Sequence, residues 1–90
     1  MDDFGNRFQT FINELQELED YEIAELIRVF RGNYDTILPA LRVLFRRAPN
    51  NGRMQGIIPF CINLCIDYSC HTVYHYIWDE SARRFADIFL

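Results

Sequence analysis

Lysine is absent from this 90-residue chain, whose nine basic residues are all arginine. Arginine offers a planar fork that suits carboxylates, so the bias favours specific pairing, although compositional drift is the simpler explanation. A basic excess is absent too, and the net charge of −4 argues against a general nucleic-acid binder. No transmembrane segment is expected, because the longest uncharged run, Met54 to Ile66, is too short to cross a bilayer.

The three cysteines, Cys61, Cys65 and Cys70, are odd in number and lie in or beside this apolar stretch. No signal peptide precedes them, so we interpret them as reduced, buried thiols of an intracellular, cytoplasmic protein. Half of the residues are apolar, which predicts a folded core rather than disorder. The length is that of one compact domain, spanning residues 1–90.

Hydrophobic periodicity predicts helices, and nothing alternates with a period of two for long enough to predict a strand. The first helix has Asp2 and Asp3 as caps. Its apolar stripe consists of Phe4, Phe8, Phe11, Ile12, Leu15 and Leu18. The second helix has Asp20 as its cap and ends near Gly32-Asn33. Its inward residues are Ile23, Leu26, Ile27 and Phe30.

Three more helices follow. The third runs from Tyr34 through Phe45, or begins near Pro39, where a missing N–H costs little in a first turn. The fourth spans Arg53 to about Cys70, kinked at Pro59 or starting there, and is apolar all round, as is typical of a central helix. The stripe of the fifth is Tyr74, Ile77, Trp78, Ala82, Phe85, Ile88 and Phe89. We therefore predict an all-α, compact bundle of about five helices around a central apolar helix.

Charge is distributed unevenly along the chain. Residues 1–25 carry eight acids against Arg7, whereas residues 26–53 carry six arginines against Asp35. This middle band predicts a local positive surface on a protein whose net charge is negative.

The junction of the third and fourth helices carries a resemblance to a known family. It reads Leu44-Phe45-Arg46-Arg47-Ala48-Pro49-Asn50-Asn51-Gly52-Arg53. This resembles the first homology motif of the B-cell lymphoma-2 family of apoptosis regulators, in which Leu-Phe precedes a polar turn and Asn-Trp-Gly-Arg opens the central helix. Asn51 stands in place of the Trp, and Gly56 and Phe60 continue the pattern at the expected spacing. The match covers Leu41 to Cys65, and the chain is shorter than the family domain, like a reduced or viral member.

The resemblance implies a shortened B-cell lymphoma-2-like fold and a groove that binds amphipathic helices of pro-apoptotic proteins. Arg53 would hold an aspartate of the partner, with Asn50 hydrogen-bonding beside it. The other implied site residues are Phe30, Tyr34, Leu44, Gly52, Gly56 and Phe60. The implied function is regulation of apoptosis in the cytoplasm or peripherally at mitochondria. Pro-survival action is expected, because it requires only capture of the partner.

Alternatives to this interpretation stay open. Arg53 could pair with an acid of the N-terminal segment, and the aromatic residues could simply form the core. The runner-up function is a small helical interaction module that self-associates as a homodimer to complete its core, without helix capture. A third is an adaptor for an acidic partner or RNA, with the basic band Arg28, Arg31, Arg42, Arg46 and Arg47 as its contact surface.

Enzyme activity and a cofactor are not expected. Asp67, His71 and His75 share a helical face near Cys70, but no second ligand pair with a recognisable spacing accompanies them, so we predict no metal site. Ser69, His71 and Asp67 have the side chains of a hydrolase triad. They cannot converge from so short a segment of one helix.

Overall fold

Short polar turns separate five α-helices in the computed structural model, which describes residues 3–86. The helices are α1 (Asp3–Gln16), α2 (Asp20–Phe30), α3 (Tyr34–Arg47), α4 (Gly52–Asp67) and α5 (Cys70–Arg84). No strand occurs between residues 3 and 86, so the all-α prediction is confirmed there. Of these five helices, none has the length and apolar content needed to cross a membrane.

Two helices share the centre of the bundle. α4 packs on α1, α3 and α5, and α5 packs on α1, α2 and α4. The core face of α4 consists of Met54, Ile57, Ile58, Cys61, Leu64 and Cys65. On the other side of α4, Ile66 is 61% exposed. The prediction of one central helix buried all round is therefore wrong, because α2 packs mainly on α3 and α5 and leaves a side of α4 uncovered.

The first helix supplies much of the core, as its apolar stripe predicts. Phe8, Phe11 and Leu15 are almost completely buried. The helix ends at Gln16, so Leu18, also buried, lies in the turn that follows. Asp2 lies outside the described residues, as do the last two apolar residues predicted for the fifth helix.

Arg84, in the last turn of α5, caps the C-terminal end of α1. Its guanidinium donates to the carbonyl oxygens of Leu18 at 2.6 Å and Gln16 at 2.7 Å. The last carbonyls of a helix have no partner within the helix. An arginine brought from the far end of the chain satisfies them, and α1 is thereby fixed to α5.

The predicted breaks between helices are largely confirmed, with corrections at the caps. Glu19, not Asp20, is the N-cap of α2. Gly32 lies in the turn between α2 and α3, where an added Cβ would approach Thr36 Oγ1 to 2.9 Å. Ser69 caps α5, its Oγ accepting from the Thr72 N–H at 3.0 Å. The fifth helix therefore begins at Cys70, whereas the apolar stripe that predicts it begins at Tyr74.

Neither internal proline ends its helix. α3 begins at Tyr34 and continues through Pro39, and α4 continues through Pro59. A proline inside a helix removes one backbone hydrogen bond. Pro39 is exposed and Pro59 is half-buried, so neither belongs to the fully buried face of its helix.

Asn51 determines where α4 begins. Its Oδ1 accepts from the Met54 N–H at 3.1 Å, and its Nδ2 donates to Glu22 Oε2 at 2.5 Å. Glu22 is 1% exposed, and its other oxygen accepts from the Glu19 N–H at 2.6 Å. A buried carboxylate therefore joins the start of α2 to the start of α4. This is the position at which the family motif has Trp.

We expect Asn51→Ala to lower the free energy of unfolding by about 1–3 kcal/mol, because it removes a helix cap and leaves a buried carboxylate oxygen without its donor. Asn50→Ala is the matched control, since Asn50 is exposed, and its effect should stay within about 0.5 kcal/mol. Urea denaturation followed by circular dichroism measures both. Equal effects of the two substitutions would contradict the proposed role of the Asn51–Glu22 contact.

Candidate functional site

The site residues that the resemblance implies do not converge on one cleft. Asn50, Gly52 and Arg53 line a polar cleft of about 640 Å³ at the α3–α4 turn, opposite Tyr21 and Glu22 of α2. A separate pocket of about 110 Å³ includes Phe30 and Tyr34 in its lining, together with residues of α5. The two groups therefore lie in different depressions of the surface.

Arg53 already has an acidic neighbour. Its guanidinium lies 3.2 Å from Glu19 Oε1, and the two side chains are 53% and 61% exposed. This agrees with the alternative that Arg53 pairs with an N-terminal acid. An exposed pair of this kind contributes only about 0–1 kcal/mol, so a partner's carboxylate would have to compete with Glu19 for a weakly held side chain.

The remaining candidates lie along the sides of α4 and α3. Phe60 is half-buried and stacks on Phe11 of α1, with ring centroids 6.0 Å apart. Leu44 is half-buried against the core. Gly56 is exposed, and nothing lies within 4 Å of a Cβ built there. Phe60 therefore belongs to the α1–α4 interface, and Gly56 lies on an open face.

A separate, apolar cleft lies between α3 and α4. Phe45 contributes from α3, and Pro59 and Ile62 contribute from α4. The cleft has a volume of about 340 Å³, at the lower end of the range of about 300–1,000 Å³ typical of ligand pockets. Its rim is polar, formed by Arg42, Arg46 and Asn63. We call this feature the α3–α4 cleft.

The uncovered face of α4 has no charge between Arg53 and Asp67. Gly56, Asn63 and Ile66 are exposed on it, where a helix facing water normally carries charged residues. Apolar exposed surface that is rimmed by polar residues is typical of protein interaction sites. The α3–α4 cleft lies at the edge of this face.

The basic band of the sequence divides into paired and unpaired arginines. Arg28 lies 3.2 Å from Glu25, and Arg31 lies over the Trp78 ring at 5.6 Å from its centroid. By contrast, three exposed arginines of α3 form no ion pair within residues 3–86: Arg42, Arg46 and Arg47. Two of these three, Arg42 and Arg46, rim the α3–α4 cleft.

None of the apolar residues of this cleft is among the site residues implied by the resemblance. Phe45 belongs to the matched motif but is not among the implied site residues. A signal was present in the sequence, because the uncharged run Met54 to Ile66 contains more apolar residues than one buried helix face needs. Which of them stay uncovered depends on how the neighbouring helices pack.

His75 and Asp67, two of the side chains considered as metal ligands, are engaged in separate surface pairs. His75 Nε2 lies 3.3 Å from Asp79, and Asp67 lies 2.9 Å from Arg7. Over residues 3–86, no three His, Cys, Asp or Glu side chains are grouped so that they could hold a metal ion.

The cysteines are free thiols with different exposure. Cys61 and Cys65 are buried, and Cys70 is half-buried. Burial raises the pKa of both the Cys61 and the Cys65 thiols, and a hydrogen bond with Cys70 raises the pKa of Cys65 further. These two thiols therefore stay protonated at neutral pH, which makes them poor nucleophiles.

Comparison with known protein families, curated proteins and solved structures finds no match for this chain. The resemblance to the B-cell lymphoma-2 family is therefore carried by the motif residues themselves, and the function that it implies is a proposal.

The thiol reagent 5,5′-dithiobis(2-nitrobenzoate) should distinguish the cysteines. We expect one thiol, Cys70, to react rapidly in the folded protein and all three to react in denaturant, because Cys70 is partly exposed whereas burial shields Cys61 and Cys65 from the reagent. Absorbance of the released thiolate gives the number of cysteine thiols that have reacted. Cys70→Ser should remove the fast phase, and a fast phase that survives this substitution would contradict the assignment.

Gly56 offers a test of the open face of α4. Gly56→Ala should raise the free energy of unfolding by about 0.5–1 kcal/mol, since alanine is the better helix former and its methyl group meets no neighbour. Gly32→Ala is the contrasting control, because its Cβ is crowded by Thr36, and it should gain less or lose stability. Thermal unfolding measures both. A loss of stability in Gly56→Ala would mean that this face is not open.

Proposed function

We propose that this protein binds an amphipathic helix of a partner protein in the α3–α4 cleft and thereby regulates apoptosis, acting as a pro-survival factor. The observation that carries the binding part of the proposal is the apolar cleft beside an uncharged, uncovered face of α4. Phe45, Pro59 and Ile62 form its apolar lining. The apoptotic role follows from the resemblance at the α3–α4 junction.

The shape of the cleft favours a helix as its occupant. Two neighbouring helices leave a depression between their side-chain ridges, and the ridge of a third helix fits such a depression. An amphipathic helix presents apolar side chains at every third or fourth position, and these would enter the cleft in series. A volume of about 340 Å³ is large enough for a few such side chains.

The start of α4 supports the apoptotic role. In the family motif the Asn-Trp-Gly-Arg sequence opens the central helix, and here α4 begins at Gly52, directly after Asn51. The motif therefore stands at a helix start in this chain too. The binding surface proposed here lies along the same helix, on the side of α3.

Self-association is the second candidate function. Val43 is 42% exposed on α3, and Ile66 is 61% exposed on α4. A second copy could cover such apolar surface in a homodimer. Light scattering at several protein concentrations separates this candidate from helix capture, because only self-association raises the mass without a partner.

Calorimetric titration with a panel of helical peptides from pro-apoptotic proteins tests the proposal. We expect binding by the native protein, and we expect Ile62→Gln to weaken it by at least about tenfold, because a buried apolar contact of this size is worth about 1.5–3 kcal/mol. Val43→Gln is the matched control. Val43 is an exposed apolar residue of α3 that does not line the cleft, and its substitution should leave the affinity unchanged.

Two results would overturn the proposal. No binding of any peptide in the panel by the folded native protein would remove helix capture. Equal effects of the two substitutions would show that the α3–α4 cleft is not the binding site. Circular dichroism of each variant establishes that a loss of binding does not reflect loss of the fold.

A further inference from the structure

We infer that the α3–α4 cleft selects an acidic amphipathic helix, one whose apolar side chains are flanked by carboxylates, and that Arg42 and Arg46 bind those carboxylates. This inference rests on the proposed function, since it names the chemistry of the partner helix. It places the charge contact on α3 rather than at Arg53, where the family resemblance would place it.

The two arginines lie at the rim of the cleft, where they can pair with carboxylates of a bound helix. Arg42 and Arg46 both line it, one helical turn apart on α3, and both are exposed. Residues four apart in a helix lie on the same face. Neither forms an ion pair within the described residues, so their guanidinium groups are available to a partner.

Arg53 is the less suitable group for this purpose. Its guanidinium lies 3.2 Å from Glu19, and a partner's carboxylate would have to displace that contact. Arg53 also lines the polar cleft at the α3–α4 turn and is absent from the lining of the apolar one. A helix seated on Phe45 and Ile62 would therefore meet Arg42 and Arg46 beside its apolar side chains.

Charge complementarity also favours a partner helix over a second copy of this chain. In a two-fold dimer the same surface of both copies meets. Closing the α3–α4 cleft in that way would bring Arg42 and Arg46 of one copy towards the same residues of the other. Like charges at such an interface are destabilising, whereas carboxylates of a partner helix would form favourable pairs.

Two synthetic peptides of about 20 residues provide the test. Both carry the same apolar residues at positions i, i+3, i+7 and i+10 and a fluorescein label. One has glutamates flanking the apolar face, and the other has glutamine at each of those positions. Fluorescence anisotropy with the full chain measures their affinities. We expect the acidic peptide to bind at least about tenfold more tightly at about 50 mM salt, and the difference to shrink at about 500 mM, because salt screens exposed charges.

The variants locate the arginines responsible. Arg42→Gln/Arg46→Gln should weaken binding of the acidic peptide by about tenfold and leave the glutamine peptide within about twofold. Arg28→Gln is the control, and Arg53→Gln tests separately the position that the resemblance implies. Each substitution removes a charge from an exposed arginine that already has an acidic neighbour, and Arg28→Gln should leave both affinities within about twofold.

Each outcome decides a different point. If neither peptide binds, the proposed function fails. If both bind equally at low salt, helix capture stands and the inference about acidic partners is overturned. If Arg53→Gln loses the preference for acid instead, Arg53 and not the α3 pair binds the carboxylates, and the inference is again overturned.

Two further measurements complete the test. A short polyuridine RNA that displaces the acidic peptide from the native protein would identify a nucleic-acid surface and overturn the inference. A mass in light scattering that doubles with concentration and falls in Ile62→Gln would identify a second copy as the occupant and would also overturn it. If RNA does not displace the peptide and the mass does not double with concentration, the acid preference described above supports the inference.

Discussion

The contact between Glu22 and Asn51 is the constraint on which the rest of this structure depends. Glu22 is 1% exposed, and its carboxylate oxygens accept from the Glu19 N–H and from Asn51 Nδ2. Burial of a carboxylate is costly unless its oxygens are hydrogen-bonded. The start of α4 must therefore stay beside the start of α2. This requirement fixes the α3–α4 turn, although α2 packs mainly on α3 and α5.

The uncovered face of α4 follows from the position of α2 in the bundle. With α2 packed on α3 and α5, only α1, α3 and α5 remain to cover α4. Its outer side carries no charge between Arg53 and Asp67, so solvation by charged side chains does not compensate for the lack of a neighbouring helix. The apolar cleft beside Phe45 is part of the same surface. Helix capture and self-association are two ways in which such a surface can become buried.

The sequence predicted the helices better than the grouping of the site residues. Hydrophobic periodicity located all five helices of residues 3–86, because each has an apolar stripe that must be buried. Pro39 and Pro59 were poor guides to helix ends, since α3 and α4 continue through them. The candidates Phe30 and Arg53 lie in different depressions, because a motif read along the chain does not state which helices pack side by side.

By itself, the sequence determined the fold class, the approximate helix boundaries and the uneven distribution of charge, since these depend on residue spacing and on local capping. Only the tertiary structure decided which apolar residues of α4 stay uncovered and which arginines lack an acidic partner. Arg53 has Glu19 beside it, whereas Arg42 and Arg46 have no ion pair within residues 3–86. That difference depends on contacts between residues far apart in the chain, and periodicity carries no information about them.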